Sequence, residues 1–470
     1  MALRSIRYPY HALVLLARKC RSRLRPSWDP LQHLPRELVG AIFDHWLWLE
    51  ILHQRPNLSQ LPVILSLVCK SWRDFVYANP PLWRFLDIDA SKGNISRLAA
   101  LENRMSRTQN ESLVLNLAVE DTPHLEALRI LFSQSYRLCE LRLCIIDIFP
   151  PTWWKDVPIG PFSQLRKLAV KAWPMHSKCQ VLSSVISTAP LHRFQSLDLS
   201  GLRLHSFLVL DILSACPELR SAKFDFIAEV DAPSLKPAPL MENLRSLILT
   251  GSGHVPINLL ENICAPFLYT FSIRWSGDGD RALIGPPLET FLSYSLLLRN
   301  LTLDNVIPSE ASLIRILRTH SHIKKFVFKT ICDLPNLMTD RTFRLLTFNG
   351  QTRRQSILLP QLEVLLMSGG LHGVGNDVIV EFLESRGAEW GTRDPSQSQN
   401  HTGRTGTLKS VELDDCDDSC QHGKGRLWRF QPTSGICAYL VTIGSQRADL
   451  NFSFNITRFI RYCSPPGDCV

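Results

Sequence analysis

Residues 244–249 read LRSLIL, with apolar side chains at the first, fourth and sixth positions, and this spacing recurs along the chain. The ten copies begin at Leu138, Leu165, Phe194, Leu219, Leu244, Leu268, Leu298, Ile323, Leu362 and Leu408. Successive copies start 27, 29, 25, 25, 24, 30, 25, 39 and 46 residues apart. A near-constant period of this length indicates stacked structural repeats.

Each copy predicts one strand and one helix. The last two apolar residues of a copy alternate as in a short strand, so their side chains share one face. Helix-like segments lie between the copies, at residues 180–188, 207–215, 311–319 and 377–385. Stacked strand–helix units bury a continuous apolar core. We therefore predict an α/β fold in which residues 131–415 form a strand–helix solenoid, with an ordinary α/β domain of parallel strands as the alternative.

The repeats resemble an irregular leucine-rich-repeat domain. The asparagine or cysteine that usually follows the strand in that family is mostly missing, and only Gly251, Asp304 and Asn305 are partial counterparts. The resemblance implies a concave face made by the residues between the anchors, from Glu140 and Arg142 to Ser410 and Glu412. That face is expected to be small and polar in the middle and more apolar near residues 327–366.

Flanking segments complete the predicted repeat region. Residues 89–130 should connect to it through a helix at 92–107 and an edge strand at 112–119, where leucines alternate. Within it, residues 342–347 suggest an extra helix, and residues 391–407 have the composition of a loop. Residues 416–470 are expected to form a cap with strands at 438–443 and 451–456.

A different pattern precedes the repeats. Residues 34–43 read LPRELVGAIF, in which Pro35 suits a helix start and Glu37 suits its first turn. Residues 62–77 read PVILSLVCKSWRDFVY and predict a second helix with one apolar stripe. The Asn79-Pro80-Pro81 sequence must end that helix.

The order of residues from Leu34 to Trp83 resembles an F-box, and residues 29–88 are identified as a member of that family. Its long middle stretch, with Trp46, Trp48 and Pro56, is similar to extended F-boxes of fungal proteins. The resemblance implies an all-α unit that binds a Skp-type adaptor and, through it, a cullin. The residues expected at or beside that interface are Leu34, Pro35, Glu37, Leu38, Ile42, Phe43, Leu67, Val68, Cys69, Trp72, Leu82 and Trp83. A unit of about 50 residues cannot bury so many apolar groups, which favours a partner site.

Charge and composition narrow the function classes. The net charge is +9, but residues 1–28 carry seven basic residues and no acid, leaving +2 for the rest. The basic balance therefore belongs to a tail, expected to be disordered, and does not make the body a nucleic-acid binder. The tail could instead be a mitochondrial transit peptide. No apolar run is long enough to span a membrane, and the 13 scattered cysteines, including Cys69, Cys139 and Cys264, predict buried, reduced thiols in the cytosol or nucleus.

No motif for catalysis or cofactor binding is recognisable in the sequence. Cys416, Cys420 and His422 lack a second ligand pair at zinc spacing, so we predict no metal site. Trp153 and Trp154 are expected to pack over the repeats. The predicted function is a non-enzymatic substrate receptor of a cullin–RING ubiquitin ligase, with an unknown protein substrate on the solenoid. A non-ligase scaffold and a mitochondrial protein with an accidental F-box-like segment are the alternatives.

Overall fold

The computed structural model describes only part of the chain. The described residues are 30–52, 60–90, 98–120, 124–146, 157, 160–173, 185–226, 239–252, 257–276, 284–306, 309–330, 338–347, 357–369, 371, 374–387, 408–414, 425–433 and 436–444. The chain divides into two compact units, Met1–Leu202 and Arg203–Val470. The basic tail, Trp153, Trp154, the loop at 391–407, the strand expected at 451–456 and the Cys416–His422 cluster lie outside the described residues.

The first unit begins with helices. They are α1 (Pro30–His33), α2 (Arg36–Leu52), α3 (Leu61–Ser66) and α4 (Lys70–Tyr77), followed by a 3₁₀ helix at Pro80–Trp83. The single helix predicted over 62–77 is wrong. Leu67 N–H bonds back to the Ile64 carbonyl, and Cys69 adopts an extended backbone with φ −159°, so the chain turns between α3 and α4.

Five parallel strands follow in the first unit. They are β1 (Phe85–Asp89), β2 (Leu113–Glu120), β3 (Leu138–Ile146), β4 (Lys167–Trp173) and β5 (Ser196–Leu204), and β5 crosses the unit boundary. Helices α5 (Leu98–Arg107) and α6 (Leu125–Ser133) lie before and after β2 in the chain. The strand predicted at 112–119 is present, but it is not an edge strand, because β1 pairs along its other side.

The second unit continues the alternation. Its parallel strands are β6 (Ser221–Phe226), β7 (Ser246–Gly251), β8 (Thr270–Trp275), β9 (Asn300–Asp304), β10 (Lys325–Lys329), β11 (Val364–Ser368) and β12 (Ser410–Asp414). Its helices are α7 (Ser206–Ala215), α8 (Ile257–Glu261), α9 (Gly285–Ser293), α10 (Glu310–Thr319), α11 (Asp340–Leu346) and α12 (Asn376–Gly387). Strand β13 (Gly425–Thr433) then pairs antiparallel with β12, and β14 (Ile436–Gly444) pairs antiparallel with β13.

The apolar anchors of the repeats line up across neighbouring strands. In the second unit, Ala222, Leu247, Phe271, Leu301, Phe326, Leu365 and Val411 are aligned partners from β6 to β12. All of them are buried. In the first unit, Leu141, Leu168 and Leu197 form the same kind of row. The prediction of an α/β fold with strands and helices in alternation is confirmed.

Candidate functional site

Helix α2 buries one face and exposes another. Val39 and Phe43 lie in an apolar core, whereas Leu38 and Ile42 are 53% and 54% exposed. Burying a leucine or isoleucine side chain stabilises by roughly 1.5–3 kcal/mol relative to leaving it exposed, so two exposed apolar side chains on one face leave that stabilisation unused. Such a surface favours a partner.

The core beneath this helix is aromatic. The Phe43 ring centroid lies 5.3 Å from that of Trp72 and 6.1 Å from that of Phe75, so α2 packs directly against α4. Leu34 and Trp72 are half-buried against the same cluster, which also contains Leu82 and Trp83. These contacts fix the position of the exposed face of α2.

Another exposed apolar residue, Leu67, lies in the turn between α3 and α4. Leu67 is 60% exposed, Val68 is half-buried and Cys69 is exposed. The turn is rigid in its backbone, because the N–H groups of Leu67 and Val68 donate to the carbonyls of Ile64 and Leu65 at 3.1 and 3.2 Å. The break in the predicted helix thus presents Leu67 to solvent.

The structure sorts the expected interface residues into three groups. Pro35, Glu37, Leu38, Ile42, Leu67 and Cys69 are exposed; Leu34, Val68 and Trp72 are half-buried; Phe43, Leu82 and Trp83 are buried. The last group cannot touch a partner directly. Trp83 is 1% exposed, and its indole Nε1–H donates to the Val76 carbonyl at 2.9 Å. It therefore stabilises from inside the part of the first unit made of α1 to α4 and the 3₁₀ helix, which we name the helical region.

Polar contacts attach the helical region to the first strand and to α5. An Arg84 Nη2–H donates to Asp44 Oδ1 at 2.7 Å. The Arg107 guanidinium lies 4.0 Å from the ring centroid of Tyr77 and 4.6 Å from that of Trp83, within cation–π range. The helical region, β1 and α5 therefore share contacts within the first unit.

A cavity of about 460 Å³ lies beside these contacts. Its lining includes Asp87, Arg104 and His124. Burial raises the pKa of the Asp87 carboxyl, against the opposing effect of Arg104, and burial lowers the pKa of Arg104 to about 10. His124 Nδ1 accepts the N–H of Ala127 at 3.2 Å and so caps α6. His124 therefore has a structural role at the start of α6.

The strand face expected to be concave is only partly available for binding. Its residues from Lys167 to Leu366 are mostly half-buried. Two departures stand out: Val327 is buried, and Glu140 is buried between Arg142 and Lys167, with an Arg142 Nε–H donating to Glu140 at 2.6 Å. These two side chains are therefore not free to contact a substrate.

The thiols also differ from expectation. Cys69 is exposed, and Cys139 and Cys264 are partly buried, so the prediction of buried thiols is wrong for Cys69. Cys216 is buried, and burial raises the pKa of its thiol to about 12. These cysteines are free rather than paired.

Within the described ranges, no group of three or more histidine, cysteine or carboxylate side chains is placed to bind a metal ion. Among the helices that the structure describes, none has both the length and the apolar character needed to cross a bilayer. No protein-family model matches the chain, and no curated protein resembles it significantly.

Proposed function

We propose that this chain is the substrate-binding subunit of a cullin–RING ubiquitin ligase of the SCF type. The observation that carries the proposal is the exposed apolar surface of Leu38, Ile42 and Leu67 on the helical region. Residues 34–83 resemble an F-box in the order of their residues, with an extended middle stretch, and the exposed members of that motif are the ones expected to contact a Skp-type adaptor.

The second unit supplies the substrate-binding part of the proposal. Within each unit the described parallel strands follow one another in chain order, as in a leucine-rich-repeat-like solenoid. A doubly wound α/β domain would reverse its strand order at a switch point. The strand order therefore favours a solenoid, which offers extended surfaces for a protein substrate.

The chain would act without chemistry of its own. It would hold a protein substrate close to a ubiquitin-charged enzyme, and proximity alone accelerates transfer. In this proposal it contributes no nucleophile and no cofactor, and it works with the adaptor and the cullin in the cytosol or nucleus.

Co-purification tests this function. Full-length protein and a Leu34→Ala/Pro35→Ala variant are expressed with an affinity tag, and the bound adaptor and cullin are quantified. We expect wild type to retain both proteins and the variant to lose most of both. Adaptor without cullin would favour a scaffold outside any ligase, and equal adaptor recovery from both forms would contradict the assignment of the site.

Because Leu34 packs against the core, its substitution could also loosen the fold. A Leu38→Asp/Ile42→Asp variant separates the two effects, since both side chains are exposed. The matched control is Leu296→Asp/Leu297→Asp, which places the same two charges on exposed leucines of the second unit. Only the first of these variants should lose the adaptor.

A further inference from the structure

Exposed apolar side chains also cluster in the second unit, on the turns that lead into β7, β8 and β9. They are Leu240, Phe267, Tyr269, Tyr294, Leu296 and Leu297. We name this surface the turn edge. Isolated apolar residues are common on protein surfaces, but six large ones on three successive turns are not.

Backbone hydrogen bonds hold the three turns side by side. Met241 N–H donates to the Cys264 carbonyl at 2.8 Å, Tyr269 N–H to the Arg245 carbonyl at 2.9 Å, and Arg299 N–H to the Tyr269 carbonyl at 2.9 Å. The buried Ser295 hydroxyl donates to the Ala265 carbonyl at 3.0 Å. The turn edge is thus a preformed surface, with about 4.8 Å between neighbouring turns.

Arginines are stacked on the aromatic rings of this surface. The guanidinium carbon of Arg245 lies 5.0 Å from the ring centroid of Phe267 and 5.5 Å from that of Tyr269. That of Arg299 lies 5.9 Å from the Tyr269 ring. Stacking restricts these long side chains, so less conformational entropy is lost when they bind a ligand.

These arginines lack acidic partners in the part of the chain that the structure describes. Arg245 and Arg299 are exposed and form no ion pair there, although Glu242 is exposed on the turn before β7; Arg245 Nη1–H donates instead to the Phe267 carbonyl at 3.1 Å. By contrast, Lys324 and Lys409, at the equivalent position of later repeats, both pair with Glu363, at 2.6 and 2.7 Å.

We propose that the turn edge binds an acidic segment of a partner protein, one in which carboxylates lie beside leucine or aromatic side chains. The planar guanidinium groups match carboxylates in geometry and charge, and the exposed rings match apolar side chains. Aromatic residues and arginine dominate binding energy at many interfaces. A second copy of this surface would bring arginine against arginine, and the chain's own basic tail has the same charge, so charge complementarity favours a foreign acidic segment.

This surface is separate from the adaptor-binding surface in both residues and chemistry. The proposal needs neither the adaptor nor the cullin. Its failure would leave the proposed ligase function untouched, and failure of the adaptor assay would leave this surface untouched.

A random peptide library selected on immobilised full-length protein tests the proposal. We expect the enriched peptides to combine Asp or Glu with Leu, Phe or Trp. Their affinity should fall roughly tenfold or more in an Arg245→Glu/Arg299→Glu variant, because the attraction between the arginines and the peptide carboxylates is replaced by repulsion. It should also fall as ionic strength rises, because salt screens exposed charges.

Matched variants separate charge from folding. Arg318→Glu/Arg341→Glu makes the same double charge reversal at exposed sites on α10 and α11 and should leave binding unchanged. Arg299→Lys keeps the charge and should weaken binding less than the reversal does. Neutral or basic enriched peptides, no enrichment at all, or equal binding by the doubly reversed variant would overturn the proposal. Self-association that the same reversal abolishes would assign the edge to a second copy and would also overturn it.

Discussion

The helical region of the first unit and the turn edge of the second unit both expose apolar side chains, but their chemistry differs. On the helical region the most exposed groups are aliphatic, namely Leu38, Ile42 and Leu67, although Val63 and Tyr77 are exposed there as well. On the turn edge three are aromatic and three are leucines, and the arginines over the rings have no acidic partner among the described residues. From the same signal, unburied apolar area, we propose two kinds of partner: an apolar protein surface and an acidic segment.

The largest expected effect concerns the difference between buried and exposed residues of the helical region. Trp83→Ala removes a fully buried indole and its hydrogen bond to Val76, so we expect a loss of about 3–5 kcal/mol in the free energy of unfolding. Leu38→Ala should change that free energy by less than about 0.5 kcal/mol, since Leu38 is exposed. Urea denaturation followed by tryptophan fluorescence or circular dichroism measures both. Similar losses for the two variants would show that the burial of α2 is assigned wrongly.

A smaller effect is expected from His320, which should make the stability of the second unit depend on pH. His320 is 2% exposed, its ring nitrogens lack hydrogen-bond partners among the described residues, and burial lowers its pKa to about 4. The unfolded chain, with a histidine pKa of about 6.5, binds the proton more readily. Stability should therefore fall as the pH drops from 6.5 towards 4, by roughly 3 kcal/mol from this group.

The pH dependence of wild type should be compared with that of a His320→Phe variant, whose side chain cannot bind a proton. Free energies of unfolding measured across this pH range should fall less steeply for the variant than for wild type. Parallel curves for the two proteins would rule out His320 as the cause.

The smallest expected effect separates stability from binding at the turn edge. Tyr269→Ala removes the ring on which Arg245 and Arg299 lie, and exposed cation–π contacts contribute about 0.5–1 kcal/mol each. We expect the free energy of unfolding to fall by no more than about 1–2 kcal/mol, with most peptide binding lost. A calorimetric melt and a peptide titration on the same sample measure both, and unchanged peptide affinity would remove Tyr269 from the surface.

Much of the repeat fold could be predicted because its cause is local and repeated. Each anchor pair, such as Leu247 and Leu249, alternates within one strand, and the ten-fold recurrence makes the pattern distinct from chance. The helices at 206–215, 310–319, 340–346 and 376–387 follow from the same spacing. Strand β1 could not be predicted, since its sequence FLDID carries two aspartates and its pairing with β2 is a tertiary contact.

The surfaces were harder to predict. The turn at Leu67–Cys69 interrupts a stretch with a continuous helical stripe, and only the extended backbone of Cys69 reveals it. The turn edge was missed because the periodicity identifies the anchors and treats the residues before them as turns. A signal was present: Phe267 precedes the anchor Leu268, and Leu296 and Leu297 precede the anchor Leu298, so apolar residues occur where solvent-facing ones are expected.

The most direct test of the account is one binding experiment with two ligands and three proteins. Full-length wild type, Leu38→Asp/Ile42→Asp and Arg245→Glu/Arg299→Glu are each titrated with a purified Skp-type adaptor and with an acidic, leucine-containing peptide from the library. Wild type should bind both ligands, the first variant should lose only the adaptor, and the second should lose only the peptide. Loss of both ligands by either variant, or adaptor binding that survives the two aspartates, would contradict the account.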